Sequence, residues 1–333
     1  MICKNFKGRW VILAFGLAVW CMGCSGSDDS TTSQQGDDFH RTPPADVQAR
    51  IEDLKKLLPR EVYDTITAGS RNNEQCWDRN RDILGLPREL NGQWYYTYDN
   101  LIEGMAQLDE FANDGDQNTK KLEIAAFLAN VAQETGAGST VAFGGPGCFI
   151  QEDFGSEVMR TSADCGGVQP TTGAGYCGRG PHQLTWLVNY AAFGVTMAGD
   201  DGDKDKYVKN PDLLTTDPET GIAGSIWFWG HEERTDWSPP KIPFKPAAHN
   251  VAVGYWKPTD KDVACGRTKA DFGIIINLIN GGKECGPGAV NPKAAENRVE
   301  YLKAIAAEMG VTIPDWFLDN CSSQKNFAEC TSY

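Results

Sequence analysis

Eight cysteines spread over the chain beyond residue 75 restrict its fold more than any other feature: Cys76, Cys148, Cys165, Cys177, Cys265, Cys285, Cys321 and Cys330. Their redox state follows from the N-terminus. MICKNFKGRWVILAFGLAVWCMGC places Lys4, Lys7 and Arg9 ahead of an apolar run from Trp10 to Trp20 and closes with small residues, the pattern of an export signal. An even set of cysteines outside the cytoplasm reads as disulfides rather than free thiols. None of them shows the paired CxxC spacing of a zinc site, so no structural metal is expected.

The apolar run is too short, and too abruptly ended by SGSDDSTTSQQGDD, to span a bilayer. Cys24 follows Met22 and Gly23 in a stretch that resembles a lipoprotein lipobox, with Cys21 where leucine is usual. Residues 1–24 are therefore expected to be a signal peptide with lipidation at Cys24, plain cleavage nearby being the alternative. Residues 25–44 are Ser, Thr, Gln, Gly and Asp with almost nothing to bury, a flexible polar tether. The formal charge of −14 excludes a nucleic-acid partner on electrostatic grounds and disfavours an anionic polymer; a neutral polymer meets no such penalty.

Beyond the tether the pattern is helical. Val47, Ile51, Leu54, Leu57 and Leu58 recur at helical spacing, and a second helical stretch runs near Leu101 to Phe111. In NTKKLEIAAFLANVAQET, Leu122, Ala125, Ala126, Ala129 and Ala132 form an apolar stripe, with Asn118 and Thr119 as expected caps. Pro181, Pro218 and Pro292 announce three further helices, and KADFGIIINLINGG is an apolar helix expected to stop at Gly281 and Gly282. The segment from Gly136 to Gly180 has no sustained period and reads as long loops. The fold expected is mainly α. Residues 45–95 are expected to form a helical extension packed on a main domain over 96–333.

Two carboxyl groups, one protonated and one ionised, are the minimum for cleaving a glycosidic bond. Glu134 ends the alanine-rich helix on a face shared with Phe127 and Val131, apolar surroundings that favour its acid form. Glu152 lies four residues after Cys148 in a loop rich in backbone amides, where a base is expected. Among 45 acidic residues, either glutamate taken alone is most simply a solvated one.

Six segments, AAFLANVAQET, CFIQE, GYCGRGPHQLTW, NPDLL, KPAAHNVAVGYW and FGIIINLINGGKECG, together resemble family 19 glycoside hydrolases, the plant-type chitinases, over about Tyr96 to Cys321. The resemblance implies a lysozyme-like helical domain with a deep substrate cleft and long disulfide-linked loops. It implies hydrolysis of β-1,4-linked N-acetylglucosamine, in chitin or chito-oligosaccharide, with inversion; an endo-acting enzyme without a cofactor is expected, although the sequence does not separate endo from exo cleavage. It gives Glu134 as general acid, Glu152 as general base and Thr185 as the holder of the attacking water. Gln183, Asn189 and Asn280 become substrate ligands, and Glu284 with Arg298 a charge network about the acid. Thr185 and Asn189, i and i+4 on the helix expected from Pro181, share a face. The family's bridges fall on Cys76–Cys148, Cys165–Cys177 and Cys285–Cys321, which leaves Cys265 and Cys330 as a fourth pair.

The chain departs from the plant pattern at Gln133, where those enzymes have histidine, at GAGST, which replaces GGW, and at Val188, where an aromatic or polar contact is common. Trp186, Trp227, Trp229, Trp237 and Trp256 are candidate sugar platforms, with core the stronger reading for Trp227. His182, His231 and His249 are too scattered for a metal site. A muramidase-like peptidoglycan hydrolase and an inactive chitin-binding protein are the alternatives, the second weakened by retention of both glutamates and Thr185. A monomer is expected, touching membrane only through the lipid at Cys24.

Overall fold

Helix punctuation sets the first layer. Helix α1 (Val47–Leu57) is started by the Asp46 carboxylate, which accepts from the Ala49 amide at 2.9 Å. Pro59 separates it from α2 (Arg60–Arg71). That second helix escapes an aliphatic periodicity search because its buried face is Tyr63, Thr67 and Ser70. The computed structural model describes residues 46–74, 76, 94–136, 146–152, 175–199, 202–231, 245–327 and 329–330. The leader, the tether, Cys24, Cys165, Trp237 and much of the segment between Gly136 and Gly180 lie outside the described residues.

The helices that follow are α3 (Tyr98–Met105), α4 (Gln117–Thr135), α5 (Leu187–Ala198), the short α6 (Lys206–Lys209) and α7 (Leu213–Thr216), and α8 (Pro218–Trp229). After them come α9 (Ala248–Ala252), α10 (Asp260–Ala264), α11 (Phe272–Glu284) and α12 (Pro292–Glu308). Among the described residues, extended pairing is confined to the isolated bridges Gln151–Arg179 and Arg179–Leu184.

At the centre, α4 is buried on nearly every side rather than along one stripe, from Leu122 through Ala132. Its alanines let α12 approach closely, and this is the most extensive helix pairing among the described residues. Asp116, not Asn118 or Thr119, caps it, accepting from the Thr119 amide at 2.8 Å. The pair α1 and α2 packs on α3, α4 and α12. Tyr63 donates to the Tyr96 carbonyl at 2.9 Å and Tyr98 to that of Leu58 at 2.8 Å, so the N-terminal helices are part of the same core.

Pro218 opens α8 behind the Asp217 cap, and Pro292 opens α12. Pro181 does not open a helix: residues 181–184 form a turn, and α5 begins at Leu187. Nor do Gly281 and Gly282 end α11, which bends at Asn280 (φ −144°, ψ 32°) and runs on to Glu284.

Of the charged residues on the central helix, Glu123 is the one that is fully buried. Glu123 accepts from the Ala112 amide, the Trp229 indole (both 2.9 Å) and His249 Nδ1 (2.7 Å), while His249 Nε2 faces Asp114 at 3.1 Å. Burial alone would push His249 down, but the charge of Glu123 and the hydrogen bond to Asp114 outweigh it and lift the ring to about 10. The buried His182 is instead lowered to about 3 by burial and is neutral.

The His249 value lies above the ordinary 6.5, so the stability it contributes is complete below that pH and lost as pH rises through about 10. Unfolding free energy, measured in urea from about pH 6 to about pH 10.5, is expected to fall with pH. The His249→Gln variant is expected to lose about 3–5 kcal/mol near neutrality and most of that slope; parallel profiles for the two proteins would contradict the assignment.

Candidate active site

The C-terminus of α4 and the loop at 146–152 are fastened by one residue. Thr135, wholly buried, accepts from the Gly147 amide at its hydroxyl and from the Phe149 amide at its carbonyl, each at 2.9 Å. Glu134 precedes it on the helix, and Glu152 lies three residues beyond Phe149. The Cys76–Cys148 disulfide anchors the loop from the other side, as does Tyr96, which donates to the Phe149 carbonyl at 2.7 Å. Gly147 (φ +95°) lies flat on the Tyr96 ring, where an added Cβ would stand 2.9 Å from the ring carbon.

Glu152 is carried onward by a short antiparallel crossing. Its amide donates to the Gly178 carbonyl at 2.8 Å, and the Gly180 amide donates to that of Ile150 at 3.0 Å. Gly178 leaves room for two neighbours, since a Cβ there would meet Gln183 at 3.0 Å and Glu152 Oε2 at 3.2 Å. The glycine thus brings Gln183 beside Glu152. Arg179, 2% exposed, locks the crossing through the Gly175 carbonyl and the Tyr190 hydroxyl (both 3.0 Å) and Asp212 (2.7 Å).

Thr185 precedes α5 rather than sitting on it, which corrects the shared-face expectation drawn from Pro181. It is still joined to Asn189, whose side-chain amide donates to the Thr185 carbonyl at 2.7 Å. The Thr185 hydroxyl donates to the Gln183 carbonyl at 2.8 Å, leaving its oxygen free to accept. Leu184 anchors the turn in the core, while Leu187 stays partly exposed.

Arg298 on α12 is 1% exposed. Its guanidinium grips Glu284 with Nε at 2.8 Å and Nη2 at 2.7 Å, and Nη1 reaches Asn130 Oδ1 at 2.9 Å. Nη2 also donates to Glu134 Oε1. Burial works against this cation, but the charges of Glu134 and Glu284 more than compensate and hold it above the ordinary arginine value. The bend in α11 aims Asn280 at the same cluster, its Nδ2 donating to Glu284 Oε1 at 2.8 Å. Residues 321–327 brace that bend: Asn277 donates to Gln324 Oε1 and the Lys325 carbonyl, both at 3.1 Å. Disulfides Cys285–Cys321 and Cys265–Cys330 tie the segment down. Cys177 is disulfide-bonded.

The electrostatics differ from the sequence expectation. Glu134 has a guanidinium against it rather than purely apolar surroundings. Glu152 is the carboxyl raised by its environment: desolvation pushes it up, and the charge of Glu134 adds to this. The Gly178 amide and the Lys283 ammonium pull the other way. The two glutamates are therefore within electrostatic reach of each other.

Sequence reasoning missed Asn130, Thr135, Arg179 and Lys283. Arg179 had a visible signal, a lone arginine among the glycines of GYCGRG, but nothing local marks the other three. Of the candidate aromatic platforms, Trp227, Trp229 and Trp256 are core residues and Trp186 is 58% exposed. A separate small pocket lies between Phe228, Lys245 and Leu278, and neither glutamate lines it.

Residues 71–320 match the family described as chitinase class I. Relatives include an endochitinase of Pisum sativum, 34% identical over 83% of this chain and 76% of its own length. An acidic 26 kDa endochitinase of Solanum lycopersicum is 32% identical over 82% and 88%. Chitinase C from Streptomyces griseus HUT6037 shares the fold with a TM-score of 0.52, at 24% identity over 80% of each chain. The class IV chitinase of Zea mays does so with a TM-score of 0.51, at 22% identity over 79% of this chain and 98% of its own.

Because Arg298 is the counter-charge of a buried carboxylate, Arg298→Met is expected to cost about 3–5 kcal/mol in urea unfolding. Replacing both partners, Arg298→Met with Glu284→Met, is expected to recover most of that loss. A double variant no more stable than the single one would show that the cluster is not a charge-paired unit.

Proposed function

Since the chain belongs to the class I chitinase family of glycoside hydrolases, we propose that it is an endo-acting chitinase that inverts the anomeric carbon in a single displacement. The observation that carries this reading is the convergence of Glu134 and Glu152, fixed to each other through Thr135. Glu134 protonates the glycosidic oxygen. Glu152 takes a proton from water on the opposite face of the sugar, and the two carboxyls then stand roughly 6.5–9.5 Å apart.

Thr185 suits the water-holding role because its own proton is committed to Gln183. A water that donates one proton to Thr185 and the other to Glu152 keeps a lone pair with which to attack the anomeric carbon. Gln183, Asn189 and Asn280 hold the saccharide. One guanidinium serves both Glu284 and Glu134. Glu284 accepts two guanidinium bonds and one from Asn280, whereas Glu134 accepts one bond from the same guanidinium.

The remaining organisation belongs to the same proposal. Residues 1–24 direct export, with a lipid on Cys24, 25–44 form a tether, and 45–95 are an extension on the catalytic domain at 96–333. The protein acts as a monomer on chitin or chito-oligosaccharides and uses no cofactor. No helix among the described residues is long and apolar enough to cross a membrane.

Hydrolysis of N-acetylglucosamine hexamer followed by anomer-resolved chromatography is expected to show the α-product first; first release of the β-product would contradict single displacement. Glu134→Gln is expected to lower kcat by about 10²–10⁴ with little change in fold. Unchanged sugar release would remove Glu134 from the chemistry.

The pH dependence has a definite sign. A base with a raised pKa is protonated at higher pH, so the acid limb of kcat/KM is expected above the ordinary 4.5 of glutamate. Lys283 opposes the rise, so Lys283→Met is expected to move that limb further up. A downward move would exclude Glu152 as the group titrated.

A further inference from the structure

We propose that the exposed indole of Trp186 is the platform on which one pyranose ring of the substrate stacks, beside the wall that holds the attacking water. This inference rests on the proposed chitinase activity and names a specificity-determining residue for it.

Three observations carry it. First, Trp186 is 58% exposed, whereas Trp227 and Trp229 are 0% and 1% exposed. Leu187 and Val188 continue the same exposed apolar ledge at 37% and 46%. Isolated exposed apolar residues are ordinary, but three consecutive ones with a tryptophan at their head require an explanation.

Second, the backbone is held in a costly conformation to keep the indole there. Trp186 has φ +79° and Gln183 φ +51°, left-handed values that a bulky side chain rarely adopts. The turn is over-determined by its bonds. The Trp186 amide donates to the Tyr176 carbonyl at 3.0 Å, and the Trp186 carbonyl accepts from the Asn189 amide at 3.0 Å. Beneath it the space is filled by Leu184 and by the Tyr176–Tyr190 ring pair, 5.3 Å between centroids. Strain of this kind persists where the surrounding structure imposes it, and it clusters at functional sites.

Third, the ledge is continuous with the carboxylate site. Trp186 follows Thr185 directly, and Asn189 is bonded to Thr185. Gln183 meets Glu152 across Gly178. A polysaccharide bound for cleavage beside Thr185 extends past this turn. Its N-acetylglucosamine rings offer an apolar C–H face, which a flat, exposed aromatic surface complements. A charged ligand gains nothing from such a ledge. Val188 presents a short aliphatic side chain, so Trp186 is the ring-sized surface of this ledge.

The test compares the parent, Trp186→Ala and Trp186→Phe with N-acetylglucosamine hexamer, by steady-state kinetics and by fluorescence titration of the Glu134→Gln form of each. Thermal melting is recorded for all. Trp186→Ala is expected to raise KM and Kd for the hexamer roughly tenfold with kcat within about twofold, and Trp186→Phe to restore most of the binding. Unchanged hexamer KM and Kd in Trp186→Ala would overturn the proposal. So would equal losses in both variants accompanied by equal drops in melting temperature, which would mark a structural role. Should the parent bind the hexamer in a Trp186-dependent way without cleaving it, the platform stands and the catalytic reading falls. A parent that neither binds nor cleaves the hexamer overturns both.

Discussion

A buried guanidinium, that of Arg298, ties together three helices of this protein. Arg298 joins α12 to α4 through Asn130 and Glu134 and to α11 through Glu284. These are the helices that carry the acid candidate and the bend at Asn280. Burying a guanidinium is unfavourable unless its donors are satisfied and its charge matched. The cluster meets both conditions, and in doing so fixes where Glu134 and Asn280 can be. The close α4–α12 packing, made possible by alanines, sets the distance at which the arginine must reach.

The second constraint is mechanical. A glutamate on a helix end and one on a loop keep a fixed relation only if the loop is tied to the helix. Thr135 supplies that tie by accepting two loop amides, one at its hydroxyl and one at its carbonyl. The disulfide at Cys148, the Tyr96 hydroxyl and the Arg179-locked crossing remove the remaining freedom. Errors of an ångström in such a pair cost rate. The investment in bonds around a short loop is therefore understandable as positioning rather than as bulk stability.

The helices were legible where their signals are local. Asp217 before Pro218 and the aliphatic spacing from Val47 to Leu57 read directly. The chain was less legible where polar residues fill a core face, as in α2, or where the backbone takes positive φ. The turn at 181–186 looks like a proline-opened helix in sequence, yet Gln183 and Trp186 occupy left-handed conformations that no propensity predicts. Both glutamates could be nominated from sequence, but Arg298 stands 164 residues from Glu134 and no spacing argument links them; only the family resemblance did. Long-range pairing also explains the reversed electrostatics. Surroundings judged from helix neighbours alone made Glu134 the desolvated carboxyl, whereas the fold brings a cation to it and encloses Glu152 instead.

The central claim is that Glu134 and Glu152 address one glycosidic bond from opposite faces. A crystal structure of the Glu134→Gln protein with N-acetylglucosamine hexamer tests it most directly. The account predicts an intact linkage between the two side chains, their terminal atoms roughly 6.5–9.5 Å apart, with a water held by Glu152 and Thr185. A separation near 5 Å, or a saccharide lying elsewhere on the surface, would contradict it.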